Sequence, residues 1–154
     1  MANRVDPTQK NKTNRALYWI SLIASLLGVL DAIYLFIYKL TGNNAMCIGN
    51  SGCHDVNFSP YSVIYGIPVA VFGLAAYLVI LAIHLLEPRS RLFKENGPLA
   101  VFGLGLAGVA FTVYLTYLEL YVIHAICPFC VASAVLITII FIVAIIRLVR
   151  QTEL

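Results

Sequence analysis

Four cysteines fall into two pairs. Cys47 and Cys53 bracket a short polar segment, Ile48-Gly49-Asn50-Ser51-Gly52. Cys127 and Cys130 form a C-x-x-C motif around Pro128 and Phe129, at the start of the last apolar run. A thiolate attacks a disulfide through a mixed disulfide, so thiol pairs within reach of one another pass electrons. Pro128 suits the first position of a helix, where its missing N–H is not needed. Cys127 then falls near the N-cap and Cys130 in the first turn. Residues three apart share a helix face, about 5–6 Å between Cβ atoms. The positive end of the helix dipole favours thiolate, the reactive form. The glycines of the Cys47–Cys53 segment leave it free to close a local disulfide or to open toward another thiol. A structural disulfide, buried thiols, or a metal held by two thiols with His124 or Glu119 are the other uses of such residues. The two pairs together favour a redox relay, one anchored and one mobile.

The elements that position these pairs are apolar. The chain has 154 residues, 61% hydrophobic and 11% charged, where a soluble domain carries roughly 25% charged residues. Lipid is the solvent such a chain suits. No Lys/Arg run with interleaved aromatics suggests a nucleic-acid partner. A span needs about 20 apolar residues. Four stretches qualify, at about 17–38, 66–86, 99–120 and 127–146. The sequence therefore predicts an all-α membrane protein: a four-transmembrane-helix bundle over 17–146, with a redox loop at 39–65 and tails at 1–16 and 147–154. The loop is long and carries Val56, Phe58, Tyr61, Val63, Ile64 and Tyr65, which suits a short interfacial helix capping the bundle.

Basic residues set the orientation. Arg4, Lys10, Lys12, Arg15, Arg89, Arg91, Lys94, Arg147 and Arg150 all fall on one side of a four-span plan, with Lys39 as the exception. The positive-inside rule makes that side cytoplasmic. Both termini are then expected in the cytoplasm and all four cysteines outside, where disulfides persist.

The pattern Cys47-x5-Cys53-x5-Ser59-Pro60-Tyr61, then Ile64-Tyr65-Gly66-Ile67-Pro68, then Cys127-Pro128-Phe129-Cys130, resembles the vitamin K epoxide reductase family in its bacterial branch. The resemblance runs from the first span to the fourth. It implies a four-helix bundle around a membrane quinone, ubiquinone or menaquinone, covered by the loop. Cys127 and Cys130 would be the active-site pair, with Cys130 facing the quinone. Cys47 and Cys53 would be the shuttle pair: Cys47 receives electrons from a thioredoxin-like partner and Cys53 exchanges with Cys127. Ser59 would hydrogen-bond near the quinone, and Ser62 occupies a position that carries an amide in animal members. Many bacterial members continue into a fused thioredoxin-like domain. The chain ends at Leu154, so the expected partner is a separate protein. The Thr-Tyr-Ala stretch of animal members is absent, with Val131 to Ala134 in its place. The family implies a quinone-linked thiol oxidoreductase of the plasma membrane. A second four-helix disulfide oxidase type places its C-x-x-C before the looser pair, the reverse of the order here. The alternative from another class is a small cysteine-liganded metal carrier or permease.

Other residues stand out. Asp31 lies inside the first span, where an ionisable group is a functional candidate. His84 is expected at the cytoplasmic interface. His54 adjoins Cys53 and could tune its thiol. His124 and Glu119 are expected on the outer surface before the C-x-x-C. Tyr114, Tyr117 and Tyr121 suit the aromatic belt. Gly103, Gly105, Ala107, Gly108 and Ala110 suit close helix packing.

Overall fold

The computed structural model describes the backbone of residues 7–42 and 52–152, with side chains from residue 11 onward. The elements in order are α1 (Pro7–Thr41), α2 (Cys53–Asn57), a 3-10 helix (Pro60–Ser62), β1 (Val63–Ile64), β2 (Ile67–Pro68), α3 (Val69–Leu86), α4 (Arg91–Leu118), a π-helical turn (Glu119–Ile123) and α5 (Pro128–Thr152). Cys47, Arg4 and the side chain of Lys10 lie outside the described residues. So does any Cys47–Cys53 pairing.

The helices α1, α3, α4 and α5 are each long and apolar enough to cross a membrane. A helix satisfies its own backbone in hydrocarbon, which lipid cannot do. Their outer surfaces expose Leu26, Leu30, Leu106, Val113, Val135 and Ile142. Apolar side chains facing outward from every long helix are what a lipid-solvated surface requires. The chain is a multi-pass membrane protein built as an all-α four-helix bundle.

Three helices run beyond the expected spans, α5 continuing to Thr152. α1 starts at Pro7 rather than Leu17, so nearly three mostly polar turns precede the apolar run. α4 starts at Arg91 and contains Pro98. Proline cannot donate to the carbonyl four residues back. Gln151 of α5 donates from Nε2 to that carbonyl, Lys94 O, at 3.4 Å.

Ala24, Ala32, Tyr77, Ile80, Ile137 and Ile140 form the buried centre. Tyr77 lies flat against Gly28, where a Cβ would fall 2.3 Å from its ring. Its hydroxyl continues across to α5 and donates to Ser133 O at 2.7 Å. One side chain thus joins three helices. The small residues of α4 divide. Gly105 packs on Phe141 and Gly108 on Ile137, while Gly103 meets nothing within 4 Å. Ala107 and Ala110 are exposed. The expected packing stripe reduces to two glycines, because the apolar pattern of α4 is nearly uniform and does not mark which side meets α5.

One end of the bundle is held by charge. Arg147 of α5 forms a largely buried ion pair with Glu87 beyond α3. The Arg147 guanidinium lies 5.9 Å from the Tyr18 ring centroid, and Arg150 donates to Asn14 at 3.4 Å. His84 is fully buried here, not interfacial. Tyr18 donates to its carbonyl at 2.8 Å and its own Nδ1 lies 2.8 Å from Ile80 O. α1 folds over it, a contact the hydropathy of α3 alone does not reveal.

The covering segment adds a hairpin to the expected helix. β1 pairs with β2 antiparallel, Val63 with Pro68 and Ile64 with Ile67. Tyr65 and Gly66 both take positive φ, 51° and 84°, as a tight primed turn requires.

The division within α4 gives a test. Gly108→Leu should lower stability by about 1–3 kcal/mol through overpacking against Ile137, whereas Gly103→Leu should be neutral. Thermal unfolding in detergent reads both; equal losses would contradict the assigned faces.

Candidate active site

Residues 52–68 cross the end of the bundle opposite the Glu87–Arg147 pair. Lys39, near the end of α1, straps it down. Its ammonium donates to Asn57 O and to Ser62 Oγ at 2.7 Å, and sits 4.9 Å from the Phe58 ring centroid. Lys39, the one lysine or arginine away from the charged end among the described residues, therefore has a structural partner set. A buried or half-buried ammonium needs such acceptors.

The strap fixes α2, and α2 carries Cys53. Gly52 precedes it and lies directly on the α4–α5 connection. A Cβ at Gly52 would fall 2.4 Å from Ala125 Cβ. The missing side chain lets the two stretches touch. Cys53 and Cys127 are both buried as a result. Their Sγ atoms are 3.7 Å apart across 74 positions of sequence. That is van der Waals contact, beyond the about 2.05 Å of a disulfide bond. Asn57 bridges the pair: its Nδ2 donates to Cys53 O at 3.0 Å and reaches Cys127 Sγ at 3.9 Å.

Cys127 owes its place to the turn before it. α4 widens at Leu118 into the π turn, which His124 ends in a left-handed conformation, φ 54°. Glu119 O accepts from Ala125 N at 3.1 Å. The wider turn points Glu119 inward, so it is buried rather than at the surface. Its Oε2 accepts from Cys127 N at 3.4 Å, and Glu119 lines the same cavity as Cys130. Cys127 is the N-cap of α5, since its carbonyl accepts from Val131 N at 3.1 Å. A hydrogen bond from the Cys130 thiol outweighs the opposing effect of burial, and with further bonds from the Cys130 and Phe129 backbone and from Cys53 it lowers the Cys127 thiol to about 7. Cys127 is thus suited to be the attacked and attacking sulfur.

Cys130, half-buried, faces a cavity of about 120 Å³ between the helices and the covering segment. Its wall is mostly apolar, including Leu35, Val69, Phe111 and Leu115, with Lys39, Asn57, Ser59, Ser62 and Glu119 as polar points. Small-molecule sites have this make-up. A flat apolar ring with carbonyl oxygens, as in a quinone, fits such a lining beside a thiol.

The residues singled out in the sequence separate into groups. Cys53, Cys127 and Cys130 come together, and Ser59 and Ser62 line the cavity. The Ser59 hydroxyl donates to Val56 O at 2.8 Å. Ser62 Oγ is engaged by Lys39 and lies 2.6 Å from Asn57 O, so it chiefly holds the cover. Asp31 is away from the cavity wall, with Oδ2 buried and without a hydrogen-bond partner. His54 turns outward and stacks on Phe58 at 4.6 Å. His124 is exposed, as are Tyr114, Tyr117 and Tyr121. Lys39 and Asn57 were not singled out from the sequence as site residues. Among the described residues no three His, Cys, Asp or Glu side chains group closely enough to hold a metal ion.

The chain belongs to the vitamin K epoxide reductase family, whose model matches residues 19–145. It is also similar to the thiol-disulfide oxidoreductase LTO1 of Arabidopsis thaliana, 38% identical over 84 residues. That match covers 51% of this chain and 22% of LTO1, so the chain spans only a small part of that relative's length.

The Cys127 environment predicts a titration. In the reduced protein, thiolate absorbance at 240 nm should rise with a step centred near pH 7. Below that pH Cys127 is protonated and a poorer nucleophile. Cys130→Ala removes the largest lowering influence, so the step should move to higher pH. An unmoved step would contradict the Cys130–Cys127 hydrogen bond.

Proposed function

We propose that the protein is a quinone-linked thiol oxidoreductase that reoxidises a separate thioredoxin-like partner, in support of disulfide formation outside the cytoplasm. The observation that carries this is the contact of Cys53 with Cys127 at the edge of an apolar cavity that Cys130 faces. Family membership and the likeness to a thiol-disulfide oxidoreductase support it.

The sulfur chemistry follows the order of the pairs. A partner thiolate attacks Cys47 in a Cys47–Cys53 disulfide and releases Cys53. The partner's second thiol resolves that mixed disulfide and leaves the partner oxidised. Cys53 thiolate attacks Cys127 in the Cys127–Cys130 disulfide and releases Cys130 as thiolate. Cys47 then attacks Cys53, restores its own disulfide and leaves Cys127 and Cys130 as the reduced pair. A bound quinone, ubiquinone or menaquinone, would accept two electrons and two protons and leave as quinol. Ser59, Ser62 and the Cys130 edge of the cavity would hold it, with Leu35, Val69, Phe111 and Leu115 against its ring.

The distribution of basic residues supports an outward-facing site. Arg15, Arg89, Arg91, Lys94, Arg147 and Arg150 belong to segments at the end away from the sulfurs. By the positive-inside rule that end, with both termini, is the cytoplasmic one, and the plasma membrane is the location the family resemblance implies. The thiol pairs then sit where disulfides persist.

The test is spectroscopic. The reduced, purified protein is mixed with ubiquinone or menaquinone, and quinol formation is followed in wild type and in each Cys→Ala variant. Wild type should turn over, and Cys130→Ala should fall to the uncatalysed rate. Retained turnover in Cys130→Ala would overturn the scheme.

A further inference from the structure

Oxidation of the Cys127–Cys130 dithiol releases two protons as well as two electrons, and both sulfurs are shielded from water. Cys127 is fully buried and Cys130 half-buried. The Cys130 proton needs a nearby acceptor, because bulk water does not reach deep into the site.

Glu119 is placed for that task. It is 5% exposed and lines the cavity with Cys130. Cys127 N–H donates to its Oε2 at 3.4 Å, which sets the carboxyl against the first turn of α5, where Cys130 stands. The other titratable groups on the cavity wall are Lys39 from α1, Tyr61 from the covering segment and Cys130 itself from α5. Among the described residues no lysine, arginine or histidine forms a salt bridge with Glu119. A carboxyl buried for structure alone usually has such a partner. The π turn is a second sign. An i→i+5 turn is rare and occurs often at functional sites, and here it begins at Glu119 itself.

We infer that Glu119 is the proton acceptor of the Cys130 thiol, a catalytic residue of the step that joins Cys127 to Cys130. As the sulfur–sulfur bond forms, the Cys130 S–H proton passes to a Glu119 carboxylate oxygen and leaves a neutral carboxylic acid. The two electrons go to the acceptor. The acid then gives its proton to the reduced acceptor, and the second proton is the one Cys127 lost on becoming thiolate. In naming a quinone as acceptor this rests on the function proposed above; the proton transfer itself holds for any two-electron oxidant of the pair.

Infrared difference spectroscopy separates the two claims. The protein, freed of quinone, is cycled between dithiol and disulfide with dithiothreitol and diamide in a Cys47→Ser/Cys53→Ser background, so that only Cys127 and Cys130 change state. Followed by rapid scan after mixing, oxidation should produce a transient protonated-carboxyl C=O band that shifts in D2O and decays as the acid passes its proton on. The band should vanish in Glu119→Gln and return, displaced, in Glu119→Asp. A spectrum without such a band, or one that survives in Glu119→Gln, would overturn the assignment. With all four cysteines and quinone present, Glu119→Gln should slow quinol formation by about 100-fold or more, and Glu119→Asp should recover part of the loss. A loss that excess quinone restores would mean Glu119 only shapes the binding site and would also overturn it. Absence of quinol formation in wild type would sink the proposed function, while the infrared result would stand on its own.

Discussion

The seat of α2 on the α4–α5 connection is the contact from which the site is built. Cys53 and Cys127 are far apart in sequence, and closing a long loop costs conformational entropy. Three features offset that cost. Gly52 has no side chain, so the backbone of the covering segment comes down onto Ala125. Lys39 anchors the far side of α2 through Asn57 O and Ser62 Oγ. Leu35, Tyr38, Cys53, Val56 and Cys127 then bury one another in a cluster separate from the main core. Burial of such side chains contributes about 25 cal/mol per Å². The sulfurs meet because the surrounding apolar surface is buried there.

The two ends of the bundle divide the work. At the charged end, Glu87, Arg147, Tyr18 and His84 tie α1, α3 and α5 together. In the middle, Tyr77 over Gly28 and the Gly105 and Gly108 contacts set how α5 sits against its neighbours. The position of α5 in turn sets Cys127 and Cys130, which stand at its first turn. Sites supported by packed helices hold their geometry better than sites on loops alone. The covering segment contributes Cys53, which meets Cys127 there.

Much of this was legible in the residues. Apolar run length gave the four helices, and Pro128 marked the start of α5. Cysteine spacing put Cys127 and Cys130 at the start of one helix, while the Cys47–Cys53 pair lies outside the described residues. What was not legible has physical reasons. Glu119 is polar and close to a membrane boundary, so sequence places it at the surface. Only the π turn, which has no compositional signature, rotates it inward. Lys39 looked like an exception to a charge rule because its acceptors are a backbone carbonyl and a serine hydroxyl distant in sequence. The hairpin was hidden because Tyr65-Gly66 is not one of the usual Asn-Gly or Asp-Gly turns. A left-handed tyrosine costs about 1–2 kcal/mol, and here its ring is fully exposed. Asp31 was visible as a membrane carboxyl, yet it lies away from the cavity wall, and the sulfur relay gives its buried oxygen no role.

The relay requires Cys53 and Cys127 to be neighbours in the membrane-embedded protein. The direct measurement uses a Cys47→Ala/Cys130→Ala double variant, oxidised mildly in lipid and digested for mass spectrometry. A peptide pair linked Cys53 to Cys127 within one chain should be the main product, formed without heating or denaturant. If the two thiols remain unlinked under those conditions, or link only between chains, the sulfurs do not meet and the relay has no path.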